Sequence, residues 1–219
     1  MDAEVIEYLK DLGNNNNRPW FQENKDRFEA AKAEAHSLFR EIELGLKELD
    51  EFHDPKFYRI YRDVRFSKDK TPYSGHFSVL FKRKQPENRG SFYVQIKPGQ
   101  SMVGGGFWGP DKEDLLRIRK AIDMEDDLEE ILADPALKKS FRKLKGDKLK
   151  RVPKDFDKEH PRGNLLKYKQ FLLTKRYSDK DVVRKGFVQK VLQDYQTLQP
   201  FFNYMTEVLT TDENGVSLY

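Results

Sequence analysis

The segment from Arg59 to His76 concentrates residue types that could bind an anion or move a proton. It reads R-I-Y-R-D-V-R-F-S-K-D-K-T-P-Y-S-G-H. Guanidinium and ammonium groups form charge-assisted hydrogen bonds with phosphate and carboxylate oxygens, and a tyrosine adds a hydroxyl or a stacking face. The sequence therefore predicts an anion site in this segment. The candidate ligand-binding side chains are Arg62, Arg65, Lys68, Lys70 and Tyr73.

His76 and Asp69 are the candidates for proton transfer in this segment. His76 follows the loop at 67–73, so we expect its ring beside Arg65 and Asp69, where an imidazole can act as a general acid or base. Asp69 is expected to orient Lys70 or His76, or to take the proton itself. The alternative is that His76 only holds the shape of the loop through a hydrogen bond. Whether the protein is an enzyme stays open, and hydrolysis or group transfer are the reaction classes that suit these residues.

The alternating pattern of residues 57–66 predicts a strand, and Arg62 falls on its apolar face. The other side chains of that face are Tyr58, Ile60, Val64 and Phe66. A buried guanidinium is costly without a partner. We therefore predict that Arg62 bonds an acidic side chain or backbone carbonyls, or faces a cavity.

The glycine-rich stretch G-G-G-F-W-G at 104–109 follows a short predicted strand at 101–103. It matches the dinucleotide-binding pattern G-x-G-x-x-G in letters, but hairpins precede it instead of a βαβ unit, so we do not predict a dinucleotide. Two alternatives remain, a plain tight turn or a loop whose backbone N–H groups approach an anion. In the second case the candidate ligand-binding residues include Gly104, Gly105 and Gly106.

Two further patterns carry less weight. The stretch R-G-S-F-Y-V at 89–94 partly matches an RNA-recognition signature but keeps only Tyr93 as a stacking residue. An acidic cluster with one histidine lies in a proline-bounded turn, which favours a structural turn over a metal site. Its members are Asp155, Asp157, Glu159 and His160. We predict no metal ion and no cofactor.

The basic residues are concentrated in two segments. Residues 56–97 hold 11 basic and 3 acidic side chains, and residues 138–176 hold 15 and 4. If the two segments adjoin in the fold, they form a positive surface for phosphorylated metabolites, nucleotides or nucleic acid. In the nucleic-acid alternative, bases stack on Tyr61, Tyr93 and Trp108. A third interpretation makes 59–76 structural, with its charges neutralised inside the fold.

Composition indicates a folded cytoplasmic protein without disulfides. The 219 residues are 13% aromatic and include no cysteine, which excludes a disulfide framework and thiol catalysis. We expect one domain over 1–219, no signal peptide in residues 1–12 and no membrane association, because no apolar run reaches about 18 residues. The oligomeric state cannot be inferred.

Hydrophobic periodicity predicts an α+β fold in three parts. Residues 1–52 are expected to be helical, with one long helix from Pro19 to about residue 50, and 56–103 to form a mainly antiparallel sheet of about four strands. Residues 111–210 are expected to be helical again, with a buried helix over 165–173 and a long C-terminal helix. Helices at both ends of the chain thus flank a central sheet.

Four motifs of the chain resemble the bacterial domain-of-unknown-function family 2461. They are N-N-N-R-P-W-F-Q-E-N-K at 15–25, R-I-Y-R-D-V-R-F-S-K-D-K-T-P-Y at 59–73, V-G-G-G-F-W-G-P at 103–110 and K-D-F-D-K-E-H-P at 154–161. The resemblance covers about residues 5–210. It implies a shared fold and a shared site but names no reaction.

Overall fold

Helices form most of the framework around one central sheet. The structure, a computed structural model, describes residues 1–212 and 214–219. The helices are α1 (Glu4–Asn14), α2 (Arg18–Glu23), α3 (Lys25–Lys47), α4 (Lys112–Met124), α5 (Asp127–Ala133), α6 (Pro135–Phe141), α7 (Gly163–Leu166), α8 (Asp179–Val183) and α9 (Phe187–Thr210). None of the helices in this part of the chain has the length and apolar character needed to cross a membrane.

The strands pair in chain order into one antiparallel sheet, which confirms the predicted α+β class. They are β1 (Lys56–Phe57), β2 (Phe77–Lys82), β3 (Ser91–Ile96), β4 (Ser101–Phe107) and β5 (Phe171–Tyr177). Helices α3, α9 and α6 contact β2, β4 and β5, respectively, and cover one face of the sheet. The fully buried side chains of that face include Val79, Phe92, Val94, Val103 and Leu173. We call the opposite face the open face.

The long helix predicted from Pro19 is divided into α2 and α3 at Asn24. The Asn17 side chain accepts a hydrogen bond from the Trp20 N–H (3.0 Å) and so caps α2, whose first turn contains Pro19. Asn24 leaves helical geometry, and its side-chain amide donates to the Trp20 carbonyl (2.9 Å). Asparagine side chains compete with helical backbone bonds in this way, which explains the break.

The strand predicted over 57–66 is wrong beyond Phe57. The Tyr58 N–H still donates to the Ser78 carbonyl (3.0 Å), but the chain then leaves the sheet and returns at β2. Phe66, expected on a buried face, is 97% exposed. The physical reason is that charged and hydroxyl side chains of the segment bond its own backbone, which offers an alternative to the β ladder.

The buried helix predicted over 165–173 is also wrong. A single turn, α7, ends at Leu166, and Phe171–Tyr177 forms β5 along the edge of β4. A short apolar run such as F-L-L at 171–173 does not distinguish a buried helix from a buried strand. Pairing with β4 decides between them, and the sheet gains a fifth strand that lies outside the predicted range.

The predicted glycine loop lies inside β4. Strand β4 pairs with β3 and β5 over all three glycines, so the sheet uses their backbone groups on both sides. A side chain at Gly105 would collide with the Phe202 ring of α9, and one at Gly104 would collide with the Leu173 carbonyl. The glycines therefore permit close packing of β5 and α9, and their N–H groups form no anion loop.

Candidate functional site

Residues 58–73, which we call the Arg62 loop, are held by a network centred on Arg62. Its guanidinium donates to the Asp69 carboxylate (2.6 Å), to the Thr71 carbonyl (3.0 Å) and to the Thr71 hydroxyl. The prediction that Arg62 bonds an acidic side chain or carbonyls is confirmed. The side chain keeps 27% exposure, because it belongs to a loop and not to the buried face of a strand.

Asp69 is a structural acceptor in this network. It receives the Thr71 N–H (2.9 Å) and the Thr71 hydroxyl (2.8 Å) in addition to Arg62. These bonds from Thr71, followed by that from Arg62, lower the pKa of Asp69 to about 2. A carboxylate with so low a pKa is a weak base at neutral pH, so the geometry does not favour proton transfer by Asp69.

The other charges of the loop are mostly neutralised within it. Arg65 forms a two-pronged pair with Asp63 (2.7 and 3.0 Å), and Lys70 donates to the Val64 carbonyl (3.0 Å). Lys68 is exposed and forms no hydrogen bond or ion pair with any described residue. The loop is thus a preorganised turn whose exposed tip carries Phe66.

Tyr73 belongs to the core rather than to an exposed site. Its ring stacks on Phe21 at a centroid distance of 4.0 Å and contacts Tyr61 at 5.5 Å. Its backbone N–H and carbonyl both bond the Asn16 side-chain amide (3.1 and 3.0 Å). Burial raises the pKa of Tyr73. These contacts join the first two sequence motifs, and Phe21 and Phe28 are both buried.

His76 does not join the Arg62 loop. It precedes β2 and is half-buried, and burial, followed by nearby Lys97, lowers its pKa. It forms no hydrogen bond or ion pair with Arg65, Asp69 or any other described residue. The predicted pair of His76 and Asp69 is therefore not assembled.

The open face brings residues from distant parts of the sequence into register. One row across the sheet consists of Lys56, Leu80, Tyr93, Gly104 and Thr174. The next row consists of Ser78, Gln95, Met102 and Arg176. Tyr58 packs edge-on against Tyr93 at a centroid distance of 6.2 Å. Side chains alternate along each strand, so these rows point away from the helices.

The two basic segments of the chain meet at this sheet. Lys82 of the first segment lies in the same row across the sheet as Leu172 of the second segment. Leu172 also pairs with Lys145, whose ammonium group donates to the Thr174 hydroxyl (2.5 Å). Burial, followed by Arg176 and two further basic neighbours, lowers the pKa of Lys145. The five strands contain no aspartate or glutamate.

Sequence reasoning missed Tyr58, Arg176 and Lys145 as candidate site residues. Arg176 and Lys145 could not be placed because β5 was expected to be helical, and Tyr58 was assigned to a buried face. The alternation in F-L-L-T-K-R-Y at 171–177 is the signal that could have found Arg176, since Thr174 and Arg176 share one face of a strand.

The acidic cluster near His160 forms the predicted turn. Asp157 accepts the Glu159 N–H (3.0 Å), and Arg162 donates to the carbonyl of Ile122 near the end of α4 (2.7 Å). Across the described residues, no group of three or more histidine or acidic side chains is arranged to hold a metal ion. Two cavities of about 780 and 620 Å³ lie on the helical side, away from the Arg62 loop.

The fold and the site define a two-layer α+β protein with an antiparallel sheet that helices cover on one face. The chain belongs to the family described as conserved hypothetical protein (DUF2461), whose model matches residues 4–204. This match confirms the resemblance seen in the motifs. No curated protein and no solved structure matches the chain.

Proposed function

We propose that this protein binds single-stranded nucleic acid across the open face, with the Arg62 loop at the rim of the site. One observation carries the proposal. The strands are free of acidic residues, and basic side chains from both segments share the open face with accessible aromatic rings. Proteins that bind single strands combine these two features, cations that follow the backbone and rings on which bases stack.

The residues divide into two roles. Four basic side chains supply cations for phosphates. Lys56 and Lys82 lie towards the β1 edge of the sheet, and Lys145 and Arg176 lie towards the β5 edge. Tyr58 and the exposed Phe66 supply rings on which bases stack. Every base has a π-face, so this stacking does not depend on the nucleotide sequence. Adjacent strands lie about 4.8 Å apart, so a sheet of five strands offers a platform about 19 Å wide.

A polymer suits these residues better than a single phosphorylated metabolite. The cations of the Arg62 loop that would form a compact phosphate pocket are bonded to Asp63, Asp69 and backbone carbonyls. A hydrolase or transferase would need a proton-transfer group, and the low pKa of Asp69 and the separate position of His76 both oppose that role. Binding without turnover is therefore the form that we propose.

The first test measures salt dependence with a labelled 12-nucleotide single strand, by fluorescence anisotropy at 50 and 200 mM NaCl. For a single strand, log affinity falls by about 0.7 per contacted phosphate for each tenfold rise in salt. Four contacts therefore predict affinity that is about 50-fold weaker at 200 mM. A single-phosphate pocket would lose far less over the same range, and absence of binding at 50 mM would reject the proposal.

The second test reverses one cation from each basic segment, in the double variant Lys82→Glu and Arg176→Glu. We expect at least a tenfold loss of affinity at 50 mM salt. The matched control is Lys112→Glu with Lys185→Glu, which makes the same charge change on the helical side near the starts of α4 and α9, where an acidic residue is favourable. Equal affinity of the two double variants would show that any binding is non-specific attraction to net charge.

A further inference from the structure

A second surface lies on the helical side, in the groove between α4, α9 and the residues that follow α9. We call it the α4/α9 groove. It has a volume of about 780 Å³. Its lining includes Leu116, Ala121 and Met124 from α4, Val208 from α9 and Leu218 from the C-terminal segment. The Leu218 N–H donates to the Thr210 carbonyl (2.8 Å), which fixes that segment beside the end of α9.

Exposed apolar side chains are concentrated at this groove. Met124 is 72% exposed and Leu116 43%, and they lie eight residues apart on one side of α4. Eight residues of helix span about 12 Å, or just over two turns. Leu218 adds exposed apolar surface to the lining, and Val216 and Tyr219 are exposed nearby in the same C-terminal segment. Clustered exposed apolar groups of this kind mark interaction surfaces, whereas single ones are ordinary.

The charge of the groove is opposite to that proposed for the open face. Its described lining holds five acidic side chains, from Glu113, Glu125, Asp127, Glu207 and Asp212, against the basic Arg117 and Lys120. Arg117 is paired with Glu113 (2.8 Å). Burial, followed by repulsion from Asp127 and Glu207, raises the pKa of Glu125. A cation placed among these carboxylates would relieve the repulsion.

We propose that the α4/α9 groove binds a basic amphipathic helix of a partner protein. Such a helix lays its apolar side chains in a groove and is recognised at positions three, four and seven residues apart. Its leucine-like anchors would lie between Leu116 and Met124, and lysine or arginine on its flank would face Glu125 and Glu207. The groove repels nucleic acid, so this occupant differs in kind from that of the open face.

The probe is a labelled 16-residue peptide in which leucines recur at the spacing i, i+3, i+4 and i+7 along one helical face and all other residues are lysine. Its binding to the full chain is measured by fluorescence anisotropy at 150 mM salt. A peptide of the same pattern with glutamate in place of lysine tests the role of charge. We expect saturable binding of the lysine peptide and at least tenfold weaker binding of the glutamate peptide.

Substitutions in the α4/α9 groove test whether the peptide binds there. Glu125→Lys with Glu207→Lys is expected to weaken the lysine peptide at least tenfold, and Met124→Ser at least threefold. The control pair is Glu23→Lys with Glu48→Lys, which makes the same charge change at the ends of α2 and α3, where lysine is favourable. Thermal melts of each variant check that it keeps the fold before the affinities are compared.

Three results would overturn the proposal. The first is equal affinity of the lysine peptide for the Glu125→Lys, Glu207→Lys variant and for the control variant. The second is binding of the glutamate peptide as tight as that of the lysine peptide. The third is a wild-type dimer in light scattering that Met124→Ser dissociates, because the occupant would then be a second copy of the chain. Oligonucleotide affinity should be unchanged in Met124→Ser, which keeps this test separate from that of the open face.

Discussion

Two arginine networks of this protein use the same chemistry in different surroundings. Arg83 at the end of β2 donates to the Asp50 carboxylate (2.6 Å) and the Thr206 hydroxyl (2.9 Å), and its side chain is 3% exposed. Arg62 in its loop also bonds one carboxylate and one threonine, but it is 27% exposed. The Arg83 network is therefore buried and stabilises the fold, whereas the Arg62 network is partly exposed and stabilises a loop.

The partners of the two networks show the same division. Asp50 also accepts a hydrogen bond from Tyr195 of α9, and burial followed by Asp50 raises the pKa of that tyrosine well above its usual range. The Arg83 network thus joins the end of α3, the β2–β3 hairpin and α9. The Arg62 network joins only residues within ten positions of one another, so its loss should change the shape of the loop more than the stability of the fold.

The largest effect is expected for Arg83→Met. Removal of one half of a buried ion pair leaves the Asp50 carboxylate without its cationic partner, which costs about 3–5 kcal/mol of unfolding free energy. Urea denaturation at pH 7 measures this loss. The control Lys84→Met breaks an exposed pair with Glu51 and should cost less than about 1 kcal/mol. Similar losses in the two variants would remove the distinction between the networks.

Phe66→Ala should affect binding and leave stability unchanged. Stacking of a base on an aromatic ring contributes about 1–3 kcal/mol, so oligonucleotide affinity should fall about 5- to 150-fold. The ring is exposed and contributes little to the core, so the melting temperature should stay within error. Leu44→Ala, at an exposed apolar residue of α3, is the matched control. Full affinity in Phe66→Ala would remove this residue from the proposed site.

Arg62→Ala should cost about 1 kcal/mol of stability, because a part-exposed hydrogen-bonded charge contributes far less than a buried pair. It should also loosen the loop, which limited proteolysis between Arg59 and Lys70 would detect, and weaken oligonucleotide binding. Arg62→Lys keeps the charge but loses the fork geometry and should be intermediate. If Arg62→Ala had the stability, the proteolysis pattern and the oligonucleotide affinity of wild type, Arg62 would be neither structural nor functional.

The smallest effect concerns the acid dependence of stability at Asp69. Its pKa is lowered from 3.8 to about 2 in the folded state, so its contribution is complete above about pH 4 and is lost as the pH falls towards 2. Asp69→Asn should therefore flatten the decline of the melting temperature between pH 4 and pH 2 relative to wild type. An unchanged slope would show that Asp69 is not held by Thr71 and Arg62 in solution.

Local sequence patterns predicted the elements whose periodicity is long and regular. Val5, Leu9 and Leu12 recur at helical spacing where α1 forms, and residues 77–81 and 92–96 alternate where the β2–β3 hairpin forms. The same reasoning failed for 57–66, where side chains bond the local backbone, and for 171–173, where three apolar residues fit either state. For the candidate site it predicted the kind of partner that Arg62 bonds but not Asp69 itself, and it failed for His76.

The sequence by itself determined the α+β class, the amphipathic helices and the charged segment that becomes the Arg62 loop, because these depend on residues close together in the chain. The tertiary structure alone decided that β5 pairs with β4 and that α3, α6 and α9 cover one face of the sheet. It also placed Tyr58 and Arg176 on the same surface, 118 positions apart in sequence. Such neighbours are selected by strand pairing and core burial, which depend on contacts between distant segments and leave no local periodic pattern.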